Sequence, residues 1–360
     1  MDQKLVNKLN NRVKEGTLRS LSFFDGYTDF FSNDYLGFSS EKGTSEVLKT
    51  GSSGSRLISG NSLGAIKSEQ AIADFFNVES ALMFNSGYDA NVGFFSSVPQ
   101  RGDLVLYDEL IHASVRDGLR MSFAKFISFK HNDIEDLKTK LEKFNGVVYV
   151  AVEGLYSMDG DIAPLRNISD LCQKYGAYLV VDEAHSAGVF GRNGKGLTAA
   201  IGLEKEVFAR LITFGKSYGS HGAAILGTGD LTQFLVNFSR AFIYTTALPE
   251  YVYKLNAERA ISDSIGSRQQ KLHDNLSFFR SNFFHEGLIS EVNSPIQVLQ
   301  IGDIEEVNKL SVCLQSNKIA VKPIFSPTVA KGKERLRLCF HASNTIDEIQ
   351  YLIDTLGEVC

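Results

Sequence analysis

Four places in this 360-residue chain set a chemically active side chain directly after an apolar run. In parallel α/β sheets that is where ligands bind, beyond the carboxyl ends of the strands. The first, Val180-Val181-Asp182-Glu183-Ala184-His185, delivers a carboxylate with an imidazole three residues on. A buried carboxylate keeps its charge only beside a cation, so Asp182 either faces one, such as a protonated pyridine nitrogen, or caps the next helix. The second, Ile212-Thr213-Phe214-Gly215-Lys216-Ser217, ends on a lysine. Desolvated in a cleft, its amine loses its proton and attacks carbonyls; left in water it is an ordinary surface lysine. Thr213, close by, can bind a phosphate oxygen. The third, Phe84-Asn85-Ser86-Gly87-Tyr88-Asp89-Ala90-Asn91, runs from loop to helix; N–H groups at a helix start bind phosphate, and Gly87 permits close approach. The fourth, Tyr107-Asp108-Glu109-Leu110-Ile111-His112, places an imidazole that either stacks on an aromatic ring or serves the structure.

Other chemistries fit less well. DEAH at 182–185 followed by GKS at 215–217 has the look of a helicase-type ATPase, but a P-loop needs glycine where Arg210 stands, and the order is reversed. A net charge of -5 and a pI near 5.9 leave no basic surface for nucleic acid. Cys172, Cys313, Cys339 and Cys360 form no CxxC pair, so inert thiols and no metal site are expected. No stretch approaches the ~20 apolar residues of a membrane helix, and the amino terminus, MDQKLVNKLNNRVKEG, lacks the apolar core of an export signal. The expected location is the cytosol, with no membrane partner.

Between about residues 80 and 230, β-branched runs alternate with segments of helical period, the pattern of βαβ units around a mostly parallel sheet. Residues 145–154, 177–185, 209–216 and 222–229 read as buried strands. Ile168, Leu171 and Tyr175 mark a crossover helix, and Ile134, Leu137, Leu141 and Phe144 mark another, capped by Asn132 or Asp133. After Pro249 a long amphipathic stretch leads to strands at 296–301, 319–323 and 335–340 and a last helix. That helix opens on the capping box Thr345-Ile-Asp-Glu348 and carries Ile346, Ile349, Ile353 and Leu356 on one face. The expectation is an α/β protein with a large domain at 34–245, a smaller α+β domain at 246–360, and an arm at 1–33 that belongs with the smaller domain.

In order along the chain, SNDYLGFS (32–39), GSRLISG (54–60), FNSGYDAN (84–91), DELIHASVRDG (108–118), HND (131–133), EGLYSMDGDIAPL (153–165), VDEAHSAGVFG (181–191) and TFGKSYGSHGAA (213–224) resemble the α-oxoamine synthases. These are fold-type-I pyridoxal-phosphate (PLP) enzymes that condense an amino acid with an acyl thioester and release CO2. The resemblance implies a PLP Schiff base on Lys216, Asp182 against the pyridine nitrogen, His185 on the phenolic oxygen and His112 stacked on the ring. It assigns Gly87 and Tyr88 to the phosphate region, Ser157 and Thr213 to the cofactor site, and Thr246 to the phosphate of a partner subunit in a homodimer. Asn33, Thr328, Arg337 and, with a weaker match, Arg19 fall at substrate-contacting positions; His112 is placed to touch substrate too. Arg337 alternates with Leu336 and Leu338, so its side chain leaves the core face, and its fork suits a carboxylate or a surface ion pair. Phe242–Pro249 and Ser326–Arg337 look more like members that use L-alanine and a pimeloyl thioester, on coenzyme A or acyl carrier protein, than like those that use glycine or serine. The chain departs from the family at Ala65, where His is usual, and at Ser68, where Leu is usual.

Overall fold

The computed structural model describes residues 3–18, 24–41 and 50–359. A two-residue strand β1 (Thr28–Asp29) precedes seven strands: β2 (Ser80–Phe84), β3 (Leu104–Asp108), β4 (Lys125–Phe129), β5 (Val148–Glu153), β6 (Tyr178–Asp182), β7 (Ala209–Thr213) and β8 (Ala223–Gly227). Four more follow: β9 (Ile296–Gln300), β10 (Ile319–Ala320), β11 (Lys322–Ile324) and β12 (Arg335–Cys339). Two compact units result, one of Asn33–Tyr156 and Ile162–Gln270, the other of Met1–Ser32, Ser157–Asp161 and Lys271–Cys360.

In the larger unit the sheet order is β2-β8-β7-β6-β5-β3-β4. Its central strands are mostly apolar because both faces are covered; all of Val148–Glu153 is buried. The expected parallel arrangement holds except at β8, which is antiparallel to β2 and to β7. The reason is length: only residues 214–222 join β7 to β8, too few for the crossover a parallel neighbour requires. The crossover helices appear at Leu165–Tyr175 and Ile134–Leu141. Asp133, rather than Asn132, caps the second, accepting from Asp136 N; Asn132 takes a left-handed φ of 53° just before it.

This unit runs past residue 245 because the helix Glu250–Ala260 packs on the helix Leu63–Phe76, where a side chain at Gly64 would strike the Glu250 carboxylate. Arg56 pins the same region: its guanidinium grips Glu69 through both nitrogens and lies 5.2 Å from the Tyr253 ring centroid. Ala65 and Ser68 are buried on the inner face of Leu63–Phe76. Directly behind Asp182, Glu183 pairs with Arg210 at 2.7 Å, both side chains being almost wholly buried.

In the smaller unit β11, β12 and β9 form an antiparallel sheet in that order, and β1 pairs with β10 in parallel. The single strand expected at 319–323 is divided, because its first half pairs with β1 and its second with β12. The capping box forms as expected, Thr345 N donating to Glu348 Oε2 and Glu348 N to Thr345 Oγ1. Ile349, Leu352 and Leu356 on the last helix are fully buried, while Ile346 sits partly in solvent. Among the described residues no helix is long and apolar enough to cross a membrane.

The Glu183–Arg210 pair yields a prediction. Glu183→Ala leaves a buried guanidinium without its counter-charge and lowers unfolding free energy by roughly 3–5 kcal/mol, read as a shift of the urea midpoint. A loss below about 1 kcal/mol would show that the pair does not hold this layer together.

Candidate active site

Polar ends of neighbouring strands converge in the larger unit on a cavity of about 160 Å³ lined by Gly87, Tyr88, Asn91, His112, Glu153, Asp182, Ala184, His185, Leu211, Thr213 and Lys216. β7 delivers Thr213 and the turn beyond it Lys216; β6 delivers Asp182 and the turn beyond it His185; β3 leads into the loop that carries His112.

Lys216 Nζ lies 2.6 Å from His185 Nε2, and His185 Nδ1 lies 2.8 Å from the Tyr35 hydroxyl. Tyr35 gives its one hydroxyl proton to Asn33 Oδ1 at 3.0 Å. With that proton on Asn33, the Tyr35 hydroxyl accepts from His185 Nδ1. Asn33 thus reaches the cavity through Tyr35 and His185 and is not itself in the lining.

Asp182 is 7% exposed and held at both oxygens, Oδ1 accepting from Ala184 N at 2.9 Å and Oδ2 from Asn91 Nδ2 at 2.8 Å. A turn, not a helix, follows it, so of the two roles open to it the helix cap falls away. Asn91 Nδ2 also donates to Ser114 Oγ at 3.0 Å, and that hydroxyl sits 2.7 Å from His112 Nδ1. Ser114 N donates to the same nitrogen at 3.2 Å. With two donors on Nδ1, His112 keeps its proton on Nε2. Its pKa lies below the ordinary imidazole value, chiefly through burial, with Asp182 opposing and Lys216 reinforcing the shift.

Gly87 opens the helix Gly87–Ser97, whose cap Ser86 accepts from Asp89 N. A Cβ on Gly87 would stand 3.8 Å from Thr213 Cβ, filling the cradle between the helix start and β7. Thr213 Oγ1 donates to Gly222 O at 3.1 Å and accepts from Gly215 N at 3.4 Å, which fixes the hydroxyl beside that cradle. Tyr88 lies at the rim, half-exposed, its hydroxyl donating to Asp117 Oδ2. An anion cradle at a helix start, a carboxylate ready for a protonated ring nitrogen, an imidazole beside the ring's place and a lysine amine together match the chemistry of PLP.

Other expected site residues stand elsewhere. Thr246 is outside the lining, its carbonyl accepting from Asn85 Nδ2 at 2.9 Å. Ser157, Thr328 and Arg337 belong to the smaller unit. There Arg337 is buried, donating from Nε to Ser157 O at 2.7 Å and from Nη1 to Cys339 Sγ at 2.9 Å; a surface ion pair is ruled out. Thr328 is exposed and donates its N–H to Phe325 O. Arg19 lies outside the described residues.

Three residues of the site escaped the motif reading. Asn91 follows Gly87 by four, hence lies on the same helix face. Glu153 ends the apolar run of β5 as Asp182 ends that of β6. Tyr35 had no local signal, because its partner His185 is far along the chain.

The model for class I and II aminotransferases matches residues 25–356. The 8-amino-7-oxononanoate synthase of Emericella nidulans is 41% identical over 91% of this chain and 88% of its own. Among solved structures, the serine palmitoyltransferase of S. paucimobilis with a bound PLP–myriocin aldimine has a TM-score of 0.88 at 25% identity, covering 99% of this chain and 96% of that one. The 8-amino-7-oxononanoate synthase of Francisella tularensis has a TM-score of 0.77 at 29% identity, covering 93% and 98%.

The contacts at His112 make a second prediction. In nitrogen-15 histidine spectra His112 is neutral with its proton on Nε2 near neutral pH, and Ser114→Ala mixes the two tautomers; an Nδ1–H ring in wild type would contradict the geometry. Because the folded ring binds its proton at lower pH than the unfolded one, the unfolded chain takes up more protons on acidification. The site's contribution to stability is therefore complete above the ordinary His range, ~6.5, and falls as pH drops through it.

Proposed function

The chain belongs to the class I and II aminotransferase family and, within it, to the α-oxoamine synthases, PLP-dependent enzymes, and we propose that it condenses L-alanine with a pimeloyl thioester. The products are 8-amino-7-oxononanoate, CO2 and the free thiol of coenzyme A or of acyl carrier protein, a step of biotin synthesis carried out in the cytosol. What carries the reading is the convergence of Lys216, Asp182, His185, His112, Thr213 and Gly87 on one cavity.

When bound, PLP supplies an aldehyde for amine linkage and a ring that takes up the electron pair left on the amino acid's α-carbon. Lys216 is the residue that would hold it covalently, and its amine, once displaced by L-alanine, is the base that takes the α-proton on Nζ. Asp182, fixed as an anion by Asn91 and Ala184 N, keeps the ring nitrogen protonated. The N–H groups at the start of Gly87–Ser97 would grip the phosphate, and the Thr213 hydroxyl would join them by turning its proton from Gly222 O. His185 is the partner for the phenolic oxygen. His112 holds the ring flat and, donating from Nε2, polarises the incoming thioester carbonyl.

Substrate choice rests on different residues. Phe242–Pro249 and Ser326–Arg337 are similar to the alanine-using members, and the likeness to the 8-amino-7-oxononanoate synthases of Emericella nidulans and Francisella tularensis supports the same choice. Asn33, Thr328, Arg337 and Arg19 are the substrate contacts in this reading, with Ser157 beside the cofactor. The enzyme is a homodimer in which Thr246 reaches the phosphate of the partner subunit. A second reading, a serine- or glycine-using synthase, draws on the structural likeness to serine palmitoyltransferase.

One assay separates them. CO2 and thiol release is measured with L-alanine, glycine and serine, each with pimeloyl and other acyl thioesters. L-alanine with the pimeloyl thioester is expected to give the highest kcat/KM; preference for serine or glycine would overturn the substrate assignment. Asp182→Asn should leave the fold intact and lower turnover by roughly three powers of ten, each worth ~1.4 kcal/mol. A loss under tenfold would show that Asp182 is not the partner of the ring nitrogen.

A further inference from the structure

Three buried acidic residues end the adjacent strands β3, β5 and β6: Asp108, Glu153 and Asp182, exposed 0%, 3% and 7%. Glu153 is level with Asp182 on one face of the sheet, and Asp108, one step past the Tyr107–Ala151 pair, leaves on the other. The outer two have the contacts of anions. Asp108 accepts from Leu110 N and His131 Nδ1 at Oδ1 and from Asn132 N at Oδ2, each at 2.9 Å. Asp182 accepts from Ala184 N and Asn91 Nδ2. Glu153 lies between them, paired in register with Asp182, and lines the cavity that Lys216 and His112 share.

We propose that Glu153 is kept as the neutral acid, the proton-bearing partner of Asp182 in this cavity, and acts as a positioning residue that holds the His112 backbone while Asp182 remains the cavity's anion. The physical case is one of like charges in a dry place. Three adjacent anions out of water would each carry a desolvation cost and repel their neighbours. The proton goes to Glu153, which is level with Asp182 in the same dry cavity and has Asp108 at the end of the strand on its other side. Burial is the largest cause raising the Glu153 pKa, and Asp182 and Asp108 add to it. The Lys216 amine and the backbone N–H of His112, which donates to the Glu153 carboxyl, work the other way without reversing the direction. Tyr156, which also faces Glu153, is itself pushed up by burial and by Asp108, so it is neutral and supplies no counter-charge.

The consequence concerns the cofactor end of the site. A neutral Glu153 leaves a single negative charge for the ring nitrogen to meet, at Asp182, and gives the loop bearing His112 an acceptor that brings no second anion. The inference rests on the proposed function only for what Asp182 faces.

Infrared spectra of the full-length, cofactor-loaded protein near neutral pH test it, recorded with glutamate carboxyl groups at natural abundance and labelled with carbon-13. The expected result is a protonated-acid C=O band that shifts with the label and is lost in Glu153→Gln. A wild-type spectrum without a label-sensitive acid band, or a band that survives in E153Q, overturns the proposal. Should E153Q fail to fold, Asp182→Asn gives an independent reading: with one flanking charge removed, the band titrates away at lower pH, and an unmoved midpoint overturns the role of Asp182. None of these readings depends on which amino acid or thioester is turned over, so failure of the neutral-acid proposal and failure of the substrate assignment are distinguishable.

Discussion

A carboxylate taken out of water has to be held, and the way Asp182 is held organises the larger unit. Hydrogen bonds to a charged group contribute about 1.5–3 kcal/mol each, and Asp182 has one at each oxygen. One donor is its own turn; the other, Asn91, comes from the helix whose first residues form the anion cradle. Asn91 also reaches Ser114, and Ser114 fixes His112. A single amide thereby ties together the cradle, the buried anion and the imidazole, and it does so from a rigid helix packed on the sheet. The helix cannot move without disturbing all three, which is the preorganisation that chemistry on a bound ring requires.

Lys216 belongs to a second chain of contacts, through His185 and Tyr35 to Asn33. Here the direction of the His185–Tyr35 bond follows from the one hydroxyl hydrogen of Tyr35. The two histidines are set oppositely: His185 donates from Nδ1, toward Tyr35, and His112 accepts at Nδ1, from Ser114. Two imidazoles in one cavity differ in role because of the neighbours on their second nitrogen.

Much of this was legible in the sequence, for a physical reason. Parallel strands are apolar throughout, so a polar residue that ends such a run stands out, and that rule located Asp182, Lys216, His112 and the cradle at Gly87. Applied evenly it also points to Glu153. The reversal of β8 was legible only from the length of its connection. The division of 319–323 depended on pairing with Thr28–Asp29, far away in the chain, and a contact of that kind leaves no periodicity. Arg337 illustrates the same limit: alternation with Leu336 and Leu338 gave its face, but its burial comes from Ser157 and Cys339. Asn91 and Tyr35 are polar residues whose partners are distant, and local pattern reports no such pairing.

The proposed chemistry depends above all on one lysine, in the turn after β7, as the carrier of the cofactor. Borohydride reduction of the purified protein followed by peptide mass spectrometry tests this directly. A phosphopyridoxyl group is expected on Lys216 and on no other lysine; a stable modification elsewhere, or none in protein that turns over substrate, would contradict it.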